Sequence, residues 1–163
     1  MENFDWKNLP FGYHKTDINI RSYWKDGKWS ELQATDSEYI NMHMAATCLH
    51  YGQECFEGLK AYMGKDGKIR LFRWQENWKR MANTANYILM VPPTEELFRN
   101  AVFEAVKRNK KYIPPYGTGA TLYIRPLLIG SGAQVGVKPS CEYLFLIFVT
   151  PVGPYFKEGF NPV

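Results

Sequence analysis

The sequence lacks a long hydrophobic run. Its longest uninterrupted apolar stretch, residues 144–149, is far shorter than the roughly 20 residues that a membrane-spanning helix needs. The first 17 residues contain acids, no arginine and no apolar segment of signal-peptide length, so they resemble neither a secretory signal nor a transit peptide. We therefore expect a soluble protein without a membrane segment, and we assign it to the cytoplasm.

Paired cysteines are missing as well. Cys48, Cys55 and Cys141 are odd in number, and no two of them form a C-x-x-C pair, which favours reduced thiols over a disulfide framework. Neither Cys48 nor Cys55 has a neighbour that marks it as an activated nucleophile. No spacing among these thiols and the histidines is that of a zinc site, so we predict no metal. The histidines concerned are His14, His43 and His50.

The sequence also has no phosphate-binding loop and no strong excess of charge. Residues 130–136 are rich in glycine, but the lysine and helix of a P-loop do not follow them. The net charge is only +4, and the one cationic run, residues 107–111, complements the end of a predicted helix. Aromatic residues make up 16% of the chain, yet they fall largely at core positions. These features argue against a nucleic-acid partner, although aromatics with cations can bind single strands.

Alternating apolar residues predict several strands. Residues 18–24 and Trp29 flank an Asp-Gly turn, and residues 59–63 and 69–72 flank a second glycine-containing turn, so both pairs predict hairpins. Residues 38–44 are expected to be extended. Residues 119–129 predict a long strand, which Pro126 should confine to a sheet edge or interrupt with a bulge. Residues 142–150 are apolar on both faces, which is typical of a central strand.

Helical periodicity predicts two main helices and one short one. The short helix covers residues 45–55, and the segment that contains it breaks at Gly58, because glycine is unfavourable in a helix. Residues 75–89 and 95–112 carry apolar side chains at three- and four-residue spacing, with Thr94 as a candidate N-cap of the second helix. Strands and helices in separate blocks favour the α+β class, with a mixed, largely antiparallel sheet and two main helices packed on one side.

Two arginines and several aromatic side chains are candidates for a binding site. Arg125 interrupts an apolar strand beside Tyr123, so it either pairs with a buried acid or receives an anionic ligand. The residues leave both interpretations open. Arg80 lies on a predicted helix, where a solvated surface arginine is the simpler interpretation.

Several of these segments, taken in order, resemble the branched-chain amino acid aminotransferases, which are fold-type IV enzymes dependent on pyridoxal 5'-phosphate (PLP). The resemblance covers nearly the whole chain. The matching residues are Tyr51, the run Phe56-Glu57-Gly58-Leu59-Lys60-Ala61-Tyr62, Leu71-Phe72-Arg73 with Arg80, Leu122-Tyr123-Ile124-Arg125-Pro126, Gly136-Val137 and Pro151-Val152-Gly153-Pro154-Tyr155.

The resemblance implies a role for each of these positions. Arg80 would contact the PLP phosphate, and Arg125 would take the side-chain carboxylate of glutamate. Tyr51 and Val137 would reach into the site of a neighbouring subunit, which implies a homodimer. The walls of the substrate pocket would be Tyr51, Phe56, Tyr123, Val137 and Tyr155.

The resemblance also implies that the chain is incomplete as an enzyme. Transamination needs a lysine that binds PLP covalently and moves a proton, and in this family that lysine lies in a second, C-terminal domain. No lysine here stands in a matching motif, and the family does not use the position of Lys60 for this purpose. We therefore expect no catalytic residue in this chain, a small domain over residues 1–155, and a linker beginning at residues 156–163.

The expected activity belongs to the complete protein. It would transfer the amino group of leucine, isoleucine or valine to 2-oxoglutarate, whereas the isolated chain would be inactive. The alternatives are a D-amino acid aminotransferase or an aminodeoxychorismate lyase of the same fold, or a free-standing module that binds an anion or a nucleic acid. The Phe-Glu-Gly and Tyr-Ile-Arg-Pro segments argue against the first two.

Overall fold

The computed structural model describes residues 4–155 of the 163, and they form one antiparallel sheet with the two main helices on one face. The expected linker at residues 156–163 lies outside the described residues. Three helices and one 3₁₀ turn are present in the described range: α1 (Thr47–Tyr51), α2 (Trp74–Tyr87), α3 (Glu95–Arg108) and the turn Lys110–Tyr112. None of the helices within residues 4–155 has the length and apolar run that crossing a membrane requires.

The described sheet contains eight strands, and every pairing between them is antiparallel. In chain order they are β1 (Asn19–Lys25), β2 (Lys28–Trp29), β3 (Gln33–Thr35), β4 (Glu54–Phe56), β5 (Leu59–Met63), β6 (Ile69–Leu71), β7 (Thr121–Gly130) and β8 (Tyr143–Val152). Their order across the sheet is β2-β1-β8-β7-β5-β6, with β3 beside β1 and β4 beside β7. The α+β class is confirmed. The sequence predicts a mixed, largely antiparallel sheet, and every pair of strands in the described sheet is antiparallel.

Strand β8 is central, as its uniformly apolar sequence predicts. It lies between β1 and β7 in the sheet, and apolar clusters pack on both of its faces. Phe145 and Ile147 pack into the main core with the helices, while Leu144 and Leu146 belong to a smaller cluster on the opposite face. The strand continues to Val152, two residues beyond the end predicted from the sequence.

Helix α3 fills the main core because its apolar residues recur on one face. Phe98, Ala101, Val102 and Ala105 are fully buried at that spacing. The hydroxyl oxygen of Thr94 accepts a hydrogen bond from the Leu97 amide at 3.1 Å, so the predicted N-cap is confirmed. Helix α2 packs against α3 and β4 through Met81 and Ala85, which places both main helices on the same side of the sheet.

The sequence-based expectation for Pro126 is wrong. Strand β7 pairs along its whole length with β8, and on its other side it pairs with both β4 and β5, so it is an interior strand. On that second side the ladder is interrupted at Glu57 and Gly58, between β4 and β5, where the Glu57 amide donates to the Pro126 carbonyl at 2.9 Å. Because N–H and C=O of one strand residue point the same way, the N–H that proline lacks would have faced this interruption.

Two further expectations need correction. The short helix ends at Tyr51 rather than Cys55, because Gly52 adopts the left-handed conformation at φ 62° and its amide donates to the Cys48 carbonyl. Residues 38–44 form no strand, and the extra pairing to β1 comes instead from Gln33–Thr35, whose short polar sequence carries no strand signal. Both hairpins form as predicted.

Candidate functional site

Arg125 lies on the face of the sheet opposite the two main helices. Along β7, Leu122 and Ile124 point into the core beneath the helices, so Tyr123 and Arg125 alternate onto the opposite face. Phe56 of β4 projects from the same face and is 59% exposed. Adjacent strands thus bring an arginine and two aromatic rings together.

The guanidinium of Arg125 is held by these aromatic rings. Its central carbon lies 4.3 Å from the Phe56 ring centroid and 5.2 Å from that of Tyr123, and its Nε donates to the Tyr123 hydroxyl at 3.1 Å. No carboxylate among residues 4–155 forms a salt bridge with it. Of the two interpretations that the sequence leaves open, pairing with a buried acid finds no support in the described part of the chain.

Gly58 permits the close approach of Tyr123. A Cβ added at Gly58 would lie 2.6 Å from the Tyr123 hydroxyl oxygen, which is closer than real contacts allow. The glycine therefore lets the phenol reach the position from which it accepts the hydrogen bond of Arg125.

Phe11 is a further member of this cluster, and the sequence carries no signal for it. Its ring meets Tyr123 edge-on at 5.6 Å and Tyr155 at 5.1 Å, measured between centroids. It belongs to the irregular N-terminal arm, residues 4–18, which crosses the end of β8. There the Gly153 amide donates to the Pro10 carbonyl at 3.3 Å.

Arg80 forms a separate, charged cluster with the residue that follows Phe56. Its Nε and Nη2 each donate to a carboxylate oxygen of Glu57 at 2.6 Å. The Glu57 side chain is only 3% exposed, whereas that of Arg80 is 68% exposed. This carboxylate raises the pKa of Arg80, so the cation is retained at any pH the protein meets.

Tyr51 and Val137 lie together, but in a different place. The Tyr51 hydroxyl donates to the Val135 carbonyl, and Val137 is 87% exposed on the same loop. Both residues line an open groove of about 310 Å³ that includes Leu89 but neither Phe56 nor Arg125. The structure therefore divides the predicted pocket residues into two groups within this chain.

The alternative chemistries have no geometric basis in the described residues. Burial raises the pKa of the Cys55 thiol to about 11 and also raises that of Cys48, which is the opposite of an activated nucleophile. Within residues 4–155 no three Cys, His, Asp or Glu side chains come together as metal ligands.

Comparison with known proteins gives a consistent result. The family model described as Amino-transferase class IV matches residues 54–156. A branched-chain-amino-acid aminotransferase of Haemophilus influenzae is 52% identical over 162 residues, which is 99% of this chain and 47% of that protein. The chain thus spans about half the length of the curated relatives it matches.

Solved structures agree with the fold. A branched-chain aminotransferase from Thermoproteus uzoniensis, solved with norvaline, superposes with a TM-score of 0.65 at 28% identity over 85% of this chain and 43% of its own. A branched-chain amino acid aminotransferase from T.th., complexed with N-(5'-phosphopyridoxyl)-L-glutamate, gives 0.60 at 26% identity, covering 83% of this chain and 42% of its own.

Proposed function

Because the chain belongs to the Amino-transferase class IV family, we propose that it is the N-terminal small domain of a branched-chain amino acid aminotransferase. The complete protein would transfer the amino group of leucine, isoleucine or valine to 2-oxoglutarate, with PLP as cofactor. When bound, PLP supplies the electron-withdrawing ring that makes this transfer possible. The lysine that binds PLP covalently belongs to the second domain in this proposal, so the isolated chain is inactive.

The observation that carries the proposal is that Arg125 lies between two aromatic rings and has no acidic partner in the described part of the chain. One pocket must accept the apolar side chains of branched-chain amino acids and also the carboxylate of glutamate. Phe56 and Tyr123 offer apolar surface, and the guanidinium beside them offers hydrogen bonds to a carboxylate. Phe11 and Tyr155 extend the wall at the other side of Tyr123.

The residues present also fit a phosphate group. Arg80 is fixed at the surface by Glu57 through its Nε edge, which leaves Nη1 without a partner among residues 4–155. We propose that Arg80 holds the phosphate of PLP through this open end. Tyr51 and Val137 would serve the site of a second subunit in a homodimer, consistent with their separation from Arg125. The cytoplasmic location belongs to the same proposal.

Substrate selectivity of an Arg125→Ala variant of the complete protein tests the proposal. Loss of a charge-assisted hydrogen bond should lower kcat/KM for glutamate by about tenfold to a hundredfold. The value for leucine should change much less. Arg99→Ala is the matched control, because Arg99 also stacks on a ring, Phe103, but on helix α3 away from this face. Equal losses for the two substrates would contradict the role of Arg125, and a preference for D-amino acids would contradict the proposed activity.

A further inference from the structure

The guanidinium of Arg80 has two edges that can each bind an anion, and Glu57 uses one of them. The side edge, Nε with Nη2, is taken by the two carboxylate oxygens at 2.6 Å each. The other edge, at Nη1, belongs to a side chain that is mostly exposed. An arginine held in this way cannot swing freely, although most of its surface is in solvent.

Glu57 is itself fixed by two further contacts, one to its backbone and one to its carboxylate. Its amide donates to the Pro126 carbonyl at 2.9 Å, which ties its backbone to β7. Asn77, about one turn before Arg80 on α2, donates through Nδ2 to the Glu57 carboxylate at 2.9 Å and to the Gly58 carbonyl at 3.2 Å. The carboxylate therefore has one position relative to both the sheet and the helix.

Charge alone would make Glu57 a poor neighbour for a phosphate site. A buried carboxylate next to the binding cation repels a phosphate group and offsets part of the attraction of Arg80. Its presence is explained if the gain from orientation exceeds that repulsion, because a free arginine loses substantial rotamer freedom when it binds an anion.

We propose that Glu57 is a positioning residue that holds the open edge of Arg80 toward the phosphate group of the cofactor, with Asn77 supporting it. This inference rests on the proposed function, in which Arg80 contacts that phosphate. It assigns Glu57 of the Phe-Glu-Gly segment a purpose that the sequence pattern alone does not give it.

The direction in which one substitution changes the affinity for PLP tests this inference. Glu57→Gln removes a negative charge, so electrostatics alone predicts tighter binding of PLP. Orientation predicts the reverse, because glutamine has one acceptor oxygen where glutamate has two, and its NH2 group cannot accept the second hydrogen bond from the guanidinium. We expect the dissociation constant of PLP for the complete apoprotein to rise about tenfold. The freed Arg80 side chain would then have to lose its rotamer freedom each time it binds the phosphate.

Pyridoxal, which lacks the phosphate, separates positioning from general damage to the fold. Its dissociation constant should stay within about twofold of the wild-type value. Asp66→Asn is the matched control, because Asp66 also forms a bidentate pair with an arginine, Arg70, but on an exposed hairpin turn. It should change neither constant. Unchanged or tighter PLP binding in Glu57→Gln overturns the inference, and so does an equal loss for PLP and pyridoxal.

Two more variants complete the experiment. Asn77→Ala removes one hydrogen bond from the carboxylate but keeps the ion pair, so it should weaken PLP binding by about threefold and leave pyridoxal unaffected. An unchanged ratio of the two constants overturns the inference even if Glu57→Gln does not fold. Arg80→Ala should weaken PLP binding more than either. If it has no effect, the phosphate contact of the proposed function fails, whereas an effect of Arg80→Ala alone refutes only the role of Glu57.

Discussion

Gly153 is the position at which a single methyl group should displace the N-terminal arm. A Cβ built there would lie 1.8 Å from the carbonyl oxygen of Leu9 and 2.9 Å from its carbonyl carbon. These are backbone atoms, so no side-chain rotation can relieve the collision. The φ of Gly153 is outside the left-handed region, so alanine itself fits the local backbone, and the whole effect of Gly153→Ala comes from the arm.

The size of the effect follows from what the arm contributes. Burial of Leu9, which is 8% exposed, stabilises the fold by about 1.5–3 kcal/mol. The hydrogen bond from Gly153 to Pro10 adds about 1 kcal/mol, and the two edge-on ring contacts of Phe11 add about 0.5–1.5 kcal/mol each. Detachment should therefore cost about 3.5–7 kcal/mol, while a partial shift should cost about 1–3 kcal/mol, as overpacking does.

Urea unfolding measures this loss, and proteolysis locates it. Gly153→Ala should lower the unfolding midpoint and expose residues 4–14 to rapid cleavage. Gly12→Ala is the matched control, because Gly12 lies in the same arm and an added Cβ meets nothing within 4 Å. If the free energy of unfolding of Gly153→Ala lies within about 0.5 kcal/mol of the wild type, with the arm still protected, the packing argument is wrong.

Three other predictions concern single side chains. With a pKa of about 11, Cys55 is only about 0.1% thiolate at pH 8, so a thiol reagent should modify the exposed Cys141 much faster; comparable rates would show that Cys55 is not buried. Hydrogen bonds from Lys111 and its neighbouring tyrosine lower the pKa of Asp17, so its contribution to stability is present above about pH 4 and is lost as the pH falls. The difference in unfolding free energy between wild type and Asp17→Asn should therefore shrink from pH 6 to pH 3, and a constant difference would refute the linkage. Thr94→Ala should cost about 1 kcal/mol in thermal or urea unfolding because it removes the N-cap of α3, and no measurable loss would argue against that cap.

Elements whose signal is local could be predicted from the sequence. The turn at Asp26 and Gly27 forms the expected hairpin, and the apolar spacing of α3 together with Thr94 sets the start of that helix correctly, although the helix ends at Arg108 rather than at residue 112. The central place of β8 was also predictable, because a strand that is apolar on both faces must be covered on both.

Features that depend on what lies opposite could not be predicted in this way. Pro126 lies in an interior strand, and the N–H that it lacks would have faced the gap between β4 and β5 at Glu57, 69 positions earlier in the sequence. The arm that carries Phe11 has no period, so nothing local indicates that its ring reaches Tyr123. The pairing of Glu57 with Arg80 likewise joins a break between strands to a helix, and only the family resemblance singles out that arginine.

Alternation of side chains across the sheet explains why two kinds of binding group can occur so close together. The alternation continues between β4 and β5, because Cys55 and Leu59 both lie in the main core. Phe56 therefore falls on the open face with Arg125, Glu57 falls on the helix face and holds Arg80, and Gly58 leaves room for the Tyr123 hydroxyl. The ladder hydrogen bond missing here is one that proline has no N–H to donate, so β7 keeps no unsatisfied donor at that point. The same three residues therefore set both the apolar wall with its carboxylate-binding arginine and the cation proposed for the phosphate, so the two subsites share one structural origin.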